Sequence, residues 1–247
     1  MSQIRSSFGS HKIILSDVDS TNNFAAKLIK EGLAGHGSVI MSENQSNGRG
    51  QGDSIWQSEP KLNLLFSIIL SSENYSSVQP IYINWFVSVC LVNFLKNNHI
   101  DACIKWPNDI YIGQKKVAGI LIENKFFGSQ LKHSIVGVGL NVNQMTFEFT
   151  KATSMRQYTG LDYSIEELLN AFVFTIRKKE YIILEKQFVS LKKIYLSFLF
   201  GLNEQRSFKT KSEEFIGRIT GVDDSGRLLM EANGKQLSFR NKELEFL

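Results

Sequence analysis

Two short segments combine residue types that could bind and activate anionic groups. The first, GRGQG at 48–52, lies in a polar stretch from 44 to 54 that is rich in Gly, Asn, Gln and Ser. Glycines let backbone amides approach an anion closely, and the guanidinium of Arg49 can hold a phosphate or a carboxylate bidentately. The alternative is an ordinary turn. The segment is not a Rossmann fingerprint, because a strand is expected after it, and it lacks the Gly-Lys-Ser/Thr ending of a P-loop.

The second segment, KWPND at 105–109, places a cation, an amide and a carboxylate around a proline at the junction of two expected strands. Asn108 and Asp109 could face an open cleft or a magnesium ion, whereas the alternative is a turn with a surface salt bridge. Lys116 follows seven residues after Asp109 and adjoins Lys115. Neighbouring residues on a strand face opposite sides, so only one of these two lysines can point into a pocket.

A pair of glycines marks a third candidate segment. Gly137 and Gly139 are separated by one residue in an apolar run. At this spacing both lie on the same face of a strand and leave that face open to a flat ligand. The alternative is close packing between the sheet and a helix.

The elements that must position these segments are a mixture of strands and helices. The apolar pattern predicts strands at 12–15, 38–42 and 62–70, and a meander of three to four strands between 104 and 143. One helix is expected to begin at Ser20 or Thr21, and another to run from Pro80 to about Asn97. A capping box at Ser164 predicts a further helix through roughly residue 189, followed by an apolar helical stretch that ends at Gly201.

The character of the chain changes after Gly201. A polar stretch at 203–214 is followed by short β-like pieces at 215–220, 227–231 and 236–239, which are separated by strong turn signals. This pattern favours a small β-barrel appended to an α+β domain. The alternative is that the tail completes the main sheet.

Composition restricts the class of protein. The 247 residues carry a formal charge of only +4 from scattered Lys and Arg, which argues against binding to nucleic acid such as DNA. The two cysteines do not form a C-x-x-C pair, which favours a reducing compartment, and the four histidines show no zinc-ligand spacing. No stretch approaches the ~18–20 apolar residues that span a bilayer, and the first ten residues lack the apolar run of a secretory signal. We therefore expect a cytoplasmic protein without a membrane partner.

Taken together, the segments resemble those of the biotin–protein ligases, in order through nearly the whole chain. The most specific part is KWPND at 105–109, followed by Lys116 and GILIE at 119–123. The other matches are STN at 20–22, Gln45, GRG at 48–50, Trp56, Ser58, G-x-G-x-N at 137–141 and the β-rich tail.

The resemblance implies an α/β (α+β) fold, with a mixed central sheet and flanking helices at 1–202 and a small SH3-like β-barrel at 203–247. It also implies a two-step reaction that uses biotin, ATP and Mg²⁺. The carboxylate of biotin attacks the α-phosphate of ATP to give biotinyl-5′-AMP and pyrophosphate. A lysine of a biotin carboxyl carrier domain then displaces AMP. Members of this family are monomers or homodimers, and composition does not choose between them.

Residue roles follow from the same resemblance. The biotin rings are assigned to side chains that match the ureido group, namely Ser20, Thr21, Asn22 and Gln45. Arg49, Gly50 and Gln51 are expected to cover the carboxylate and the adenylate phosphate, and Arg49 and Lys116 to form the catalytic pair. The biotin pocket is expected to be lined by Gly119, Gly137 and Gly139. The nucleotide side is assigned to Arg49, Lys116, Asn108, Asn141 and Trp56, of which Trp56 could instead plug the core, and Mg²⁺ to Asp109.

Two departures from the family pattern concern the loop and the N-terminus. Many members continue the loop as G-R-G-R-x-G-R, whereas here it reads GRGQGDS at 48–54 with one arginine. Retention of the adenylate is therefore expected to be looser or to use other donors. Regulatory members have an N-terminal helix-turn-helix domain. Because Ser20 comes early in this sequence, we expect the ligase-only form without that domain. Two rival readings are a lipoate or octanoate ligase of the same fold and a biotin-binding module without catalysis.

Overall fold

A seven-stranded mixed sheet forms the centre of the molecule. The computed structural model describes residues 8–52, 54–71, 75 and 78–247. Along the sheet the strand order is β1-β2-β3-β7-β6-β5-β4. The strands are β1 (Lys12–Val18), β2 (Val39–Gln45), β3 (Asn63–Ser71), β4 (Cys103–Lys105), β5 (Asp109–Ile112), β6 (Lys115–Phe127) and β7 (Gln130–Asn141). β1 and β2 are parallel, and the other neighbours are antiparallel.

Helices cover both faces of this sheet. They are α1 (Thr21–Lys30), α2 (Pro80–Asn97), α3 (Met155–Thr159), α4 (Ile165–Lys179), α5 (Tyr181–Leu184) and α6 (Phe188–Ser197). On one face, Ala25 and Leu28 of α1 belong to a small apolar cluster with residues of β2, β3 and β7. On the other face, Phe172 of α4 packs edge-on against Phe66 of β3 and Phe94 of α2, with ring centroids 5.5 Å apart in each pair.

The inner strand β3 shows why the sequence pattern predicted the fold. All nine residues of β3 are buried, as expected for an apolar run covered by helices on both faces. Its side chains alternate between the two faces, so Ser67 points to the same face as α1, while Phe66 and Ile68 point to the main core. Ser67, in the middle of this mostly apolar strand, therefore lies on the face that carries the polar side chains of α1.

The C-terminal residues form a separate antiparallel sheet. Its strand order is β11-β10-β9-β8-β12, with β8 (Gln205–Lys209), β9 (Glu214–Val222), β10 (Leu228–Ala232), β11 (Lys235–Phe239) and β12 (Glu245–Phe246). The alternative that the tail completes the main sheet is therefore wrong. Within the described part of the chain, the two edge strands β11 and β12 do not pair with each other, so the expected barrel is present as a five-stranded sheet.

This second sheet packs on the main domain near the KWPND corner. Phe208, Ile219 and Leu228 belong to the same apolar core as the central sheet. The indole Nε1–H of Trp106 donates a hydrogen bond of 3.0 Å to the backbone carbonyl of Gly226. The peptide bond between Trp106 and Pro107 is cis.

Three details of the predicted elements were wrong. The helix expected through residue 189 ends at Lys179, and α5 and α6 follow as separate helices. The chain turns at Lys186, whose φ of 54° a continuing helix does not allow. The polar stretch at 203–214 contains β8, and β2 continues through Gln45 into the expected loop. Within the described residues, no helix has both the length and the apolar character needed to cross a bilayer.

Candidate active site

A cavity of about 300 Å³ lies on the α1 face of the central sheet. The loop after β2, the KWPND corner and the start of β6 surround it. All but one of the predicted site residues line it, namely Ser20, Thr21, Asn22, Gln45, Arg49, Gly50, Gln51, Trp56, Asn108, Asp109, Lys116, Gly119, Gly137 and Gly139. Segments that are far apart in the sequence are thus brought together at one place.

A connected set of polar side chains forms one end of the cavity. The backbone N–H and the hydroxyl of Thr21 donate to Oε1 of Gln45 at 2.8 and 3.1 Å. The hydroxyl of Ser67 lies 2.8 Å from Oγ1 of Thr21 and 2.6 Å from Oδ1 of Asn22. Thr21, Asn22 and Ser67 are buried. Their orientation is fixed because each is hydrogen-bonded to a partner from another element.

The side chain of Arg49 is held by two partners. Nη2 forms an ion pair of 2.9 Å with Glu123, and Nη1 donates a hydrogen bond of 2.8 Å to Asn23. The other carboxylate oxygen of Glu123 accepts a hydrogen bond of 2.8 Å from Nδ2 of Asn22. Glu123 therefore connects the polar end of the cavity with its arginine. Nearby, the hydrogen bond from Asn23 lowers the pKa of Asp19 below its ordinary value.

Lys116 provides the second cation of the cavity. Its Nζ lies 2.7 Å from Oδ1 of Asp109, and both side chains are about one-third exposed. Lys115 is exposed and does not line the cavity, so the structure confirms that only one of the two adjacent lysines points inward. The backbone around Lys116 is fixed by its N–H, which donates to the carbonyl of Lys151 at 2.8 Å.

The glycines of β6 and β7 leave space at the base of the cavity, and the side chains of Trp56 and Asn22 occupy it. Gly139 pairs with Gly119 across the strands, and Gly137 pairs with Ser67 of β3. A methyl group added at Gly139 would lie 2.5 Å from the indole of Trp56, and one added at Gly137 would overlap Oδ1 of Asn22. The open face expected for a flat ligand is therefore filled by protein: the indole packs on Gly139, and the N-terminal turn of α1 packs on Gly137, as the alternative of close sheet–helix packing predicted.

Trp56 separates this cavity from a second one. The second cavity measures about 740 Å³ and is bordered by the 144–152 segment. Trp56, Lys116 and Gln45 border both cavities, while Asn141, the remaining predicted site residue, lies in the second one. The indole Nε1 of Trp56 and Oδ1 of Asn141 are buried, and neither has a hydrogen-bond partner among the described residues. Both are thus unsatisfied polar atoms that lie beside the second cavity but are shielded from solvent.

The polar residues of the KWPND corner point in two directions. Asn108 and Asp109 line the first cavity, and the side-chain amide of Asn108 donates to the carbonyl of Ile120. Lys105 points away from it, with Nζ over the rings of Tyr111 and Phe246 at 4.9 and 5.0 Å. Burial lowers the pKa of Lys105 below that of an exposed lysine.

The arrangement also tests the predicted metal site. Within the part of the chain that the structure describes, no group of three or more His, Cys, Asp or Glu side chains is arranged to hold a metal ion. Asp109 is instead paired with Lys116. A magnesium ion bound to a nucleotide is held largely by phosphate oxygens and water, so one carboxylate is compatible with that kind of site but not with a protein-only site.

Several residues of the site have no local signal in the sequence. Ser67 is one of three polar residues in β3, and Glu123 lies within β6. Asn241 and Lys242 line the first cavity from the turn between β11 and β12. Only the packing of the C-terminal sheet on the KWPND corner brings that turn to the cavity.

Comparison with known proteins places this geometry among ligases. Residues 15–141 match the model of the biotin/lipoate A/B protein ligase family. The bifunctional ligase/repressor BirA of Bacillus subtilis is 28% identical over 91% of this chain and 70% of its own length. A biotin–[acetyl-CoA-carboxylase] ligase of Paracoccus denitrificans is 27% identical over 88% of this chain and 92% of its own. The biotin protein ligase of Aquifex aeolicus, solved in complex with biotin and ATP, superposes with a TM-score of 0.79 at 26% identity and covers 96% of this chain and 99% of its own.

Proposed function

Because the chain belongs to the biotin/lipoate A/B protein ligase family, we propose that it is a biotin–protein ligase that activates biotin with ATP and transfers it to a lysine of a carrier domain. The observation that carries this proposal is the convergence of Arg49 and Lys116 on one cavity, which adjoins a second across Trp56. Two linked cavities suit a reaction that joins a vitamin to a nucleotide.

The polar end of the first cavity suits the ring system of biotin. The ureido group has two N–H donors and one carbonyl acceptor, which hydroxyl and amide side chains can match. Ser20, Thr21, Asn22 and Gln45 supply such groups, and Gly137 leaves the space in which the side chain of Asn22 is held against the sheet. The carboxylate tail of biotin then reaches toward Arg49 and Lys116.

The cations suit the first chemical step. A carboxylate oxygen of biotin forms a bond to the α-phosphorus of ATP while the bond from that phosphorus to the bridging oxygen breaks. Pyrophosphate leaves with the electron pair. Two anions repel each other as they approach, so Arg49 and Lys116 stabilise the transition state by neutralising the developing charge. No covalent bond to the protein is needed, because positioning lowers the barrier.

The second step needs little further machinery. The amine of the acceptor lysine attacks the acyl carbon of biotinyl-5′-AMP, the acyl–phosphate bond breaks, and AMP leaves with the electron pair of that bond. The amine loses a proton as the amide forms.

The acceptor is the carrier domain of a biotin-dependent carboxylase. We place the reaction in the cytoplasm because both cysteines are unpaired.

The adenosine part of the nucleotide is assigned to the second cavity, so that its phosphates reach Arg49 and Lys116 in the first. Trp56 and Asn141 border the second cavity, and their unpartnered Nε1 and Oδ1 would pair with an adenine base once the neighbouring side chains move. Magnesium would neutralise the phosphates of ATP, and Asp109 is the carboxylate that would contact it. We assign the ligase unit to residues 1–202 and the C-terminal unit to 203–247.

The test is a biotinylation assay with the purified chain. Incubation with biotin, MgATP and a carrier domain is expected to add one biotin to a single lysine, as seen by mass spectrometry. Biotin-dependent exchange of label between pyrophosphate and ATP reports the first step alone. A parallel reaction with lipoate in place of biotin separates the two substrate classes of the family. Exchange with lipoate and none with biotin would refute the proposal.

A further inference from the structure

The first cavity has little cationic charge to spare for a nucleotide. Arg49 is paired with Glu123 at 2.9 Å, and Lys116 is paired with Asp109 at 2.7 Å. Between Gly48 and Ser54 the loop contributes no cation except Arg49. The ligands to be held carry one carboxylate and a triphosphate, so the two paired cations are outnumbered by negative charges.

Lys242 brings an additional cation to this cavity from the C-terminal sheet. It lines the cavity together with Asn241, from the turn between β11 and β12. Its Nζ lies directly against Gly52, where any side chain on residue 52 would overlap it. The ammonium group is therefore seated on the anion-binding loop itself.

The backbone of the turn directs this side chain toward the loop. Lys242 has a φ of 68°, a left-handed conformation that is uncommon for a lysine. The turn is held by hydrogen bonds on both sides of it. The N–H of Arg240 donates to the Glu243 carboxylate at 2.7 Å, and the N–H of Lys242 donates to Oδ1 of Asn241 at 2.9 Å.

Unlike the other two cations, Lys242 has no carboxylate partner. Among the residues that the structure describes, no ion pair or side-chain hydrogen bond involves its Nζ. A flexible lysine that is exposed can extend toward a phosphate without first breaking an ion pair. Lys242 can thus add a positive charge to the cavity. Arg49 and Lys116, in contrast, must give up a carboxylate partner when they bind a ligand.

We propose that Lys242 binds the phosphates of ATP and the phosphate of the adenylate, so that the C-terminal sheet takes part in the first step of the reaction. This inference rests on the proposed function. It assigns to the C-terminal unit a direct contact with the nucleotide, and it supplies the charge that the loop lacks at Gln51 and Ser54.

The experiment compares Lys242→Ala with Lys235→Ala. Lys235 is an exposed lysine of the same sheet that does not line the cavity, so it controls for the loss of one surface charge. Lys242→Ala is expected to raise the KM for ATP about ten-fold, the effect of losing one charge-assisted contact. Loss of bound biotinyl-5′-AMP is expected to speed up by a similar factor. The Kd for biotin without ATP should be unchanged, because biotin alone has no phosphate.

Two further variants separate charge from structure. Lys242→Arg is expected to retain most of the ATP affinity. Gln51→Arg is expected to restore the KM for ATP in the Lys242→Ala background, because it returns a cation to the loop. The inference is overturned if Lys242→Ala and Lys235→Ala give the same KM for ATP. It is also overturned if Lys242→Ala lowers Tm and weakens the binding of biotin by the same factor as the binding of ATP. Failure of the unaltered chain to form biotinyl-5′-AMP would instead refute the proposed function.

Discussion

Replacing Lys116 by alanine tests the charge at the centre of the cavity. The matched control is Lys115→Ala, because the two lysines are adjacent on β6 and face opposite sides. Both variants remove the same charge and the same methylene groups from the same strand. A difference between them therefore reports the direction in which the side chain points.

The expected effects on activity and on stability differ in size. Removing one preorganised donor from a phosphoryl-transfer site slows the chemical step about 100- to 1,000-fold. The cost to folding is small, because Nζ of Lys116 and its partner Asp109 are each about one-third exposed. An ion pair at that exposure stabilises the fold by ~1 kcal/mol at most, which corresponds to a fall in Tm of about 2–4 °C for a chain of this size.

The assay measures biotin-dependent exchange between pyrophosphate and ATP at saturating biotin, together with a thermal melt of each variant. Lys115→Ala should retain nearly full exchange and an unchanged Tm. The reasoning is refuted if the two variants lose exchange equally, or if Lys116→Ala loses activity only in proportion to the fraction of protein that has unfolded.

Four other predictions follow from contacts and burial in the site and in the rest of the fold. Gly139→Ala places a methyl group 2.5 Å from the pocket indole, so the KM for biotin should rise about ten-fold in the exchange assay, whereas Gly221→Ala, where no atom lies within 4 Å, should leave it unchanged. Trp106→Phe removes the 3.0 Å hydrogen bond to the C-terminal sheet and should lower the free energy of unfolding by about 1 kcal/mol in urea titrations; an unchanged midpoint would contradict this. Burial raises the pKa of Cys90 to about 12 and that of Cys103 to about 11, so both thiols should react slowly with a thiol reagent at pH 8 and quickly after denaturation. Because these pKa values are raised in the folded state, their contribution to stability should be lost as pH rises above the unfolded value of 9.0, which melts at pH 8 and pH 10 would measure.

Short sequence patterns predicted the central sheet, because burial and strand alternation act within a few neighbouring residues. The apolar run that became β3 can be buried only between two layers, and the alternate glycines of β7 can share only one face. Alternation along β6 also required one of the two adjacent lysines to face outward, but the choice of Lys116 as the inward one came from the resemblance to the biotin–protein ligases. The sheet needed only the periodicity of its strands.

Other features depend on partners that are distant in the sequence. β8 lies in a polar stretch and forms because β9 and β12 pair with it on either side. The helix predicted through residue 189 stops where Glu180 is buried against Tyr75, whose hydroxyl donates to it at 3.1 Å. The position of Lys242 in the cavity follows from the docking of one sheet on another. Periodicity carries no information about such contacts.

The pairing of charges in the cavity explains how its cations are kept in place before a substrate arrives. An unpaired cation in a partly closed site would lose hydration without compensation, whereas Arg49 and Lys116 each have a carboxylate within 3 Å. Binding of a carboxylate or phosphate then exchanges one anionic partner for another, so the cations need little reorganisation during the reaction. Glu123 also accepts a hydrogen bond from Asn22. A ligand that draws Arg49 away from Glu123 therefore acts on the same carboxylate that holds Asn22 at the polar end of the cavity. Glu123 contacts both Asn22 and Arg49, which we assign to the rings and to the carboxylate of biotin, so we propose that it links recognition of the vitamin to its activation.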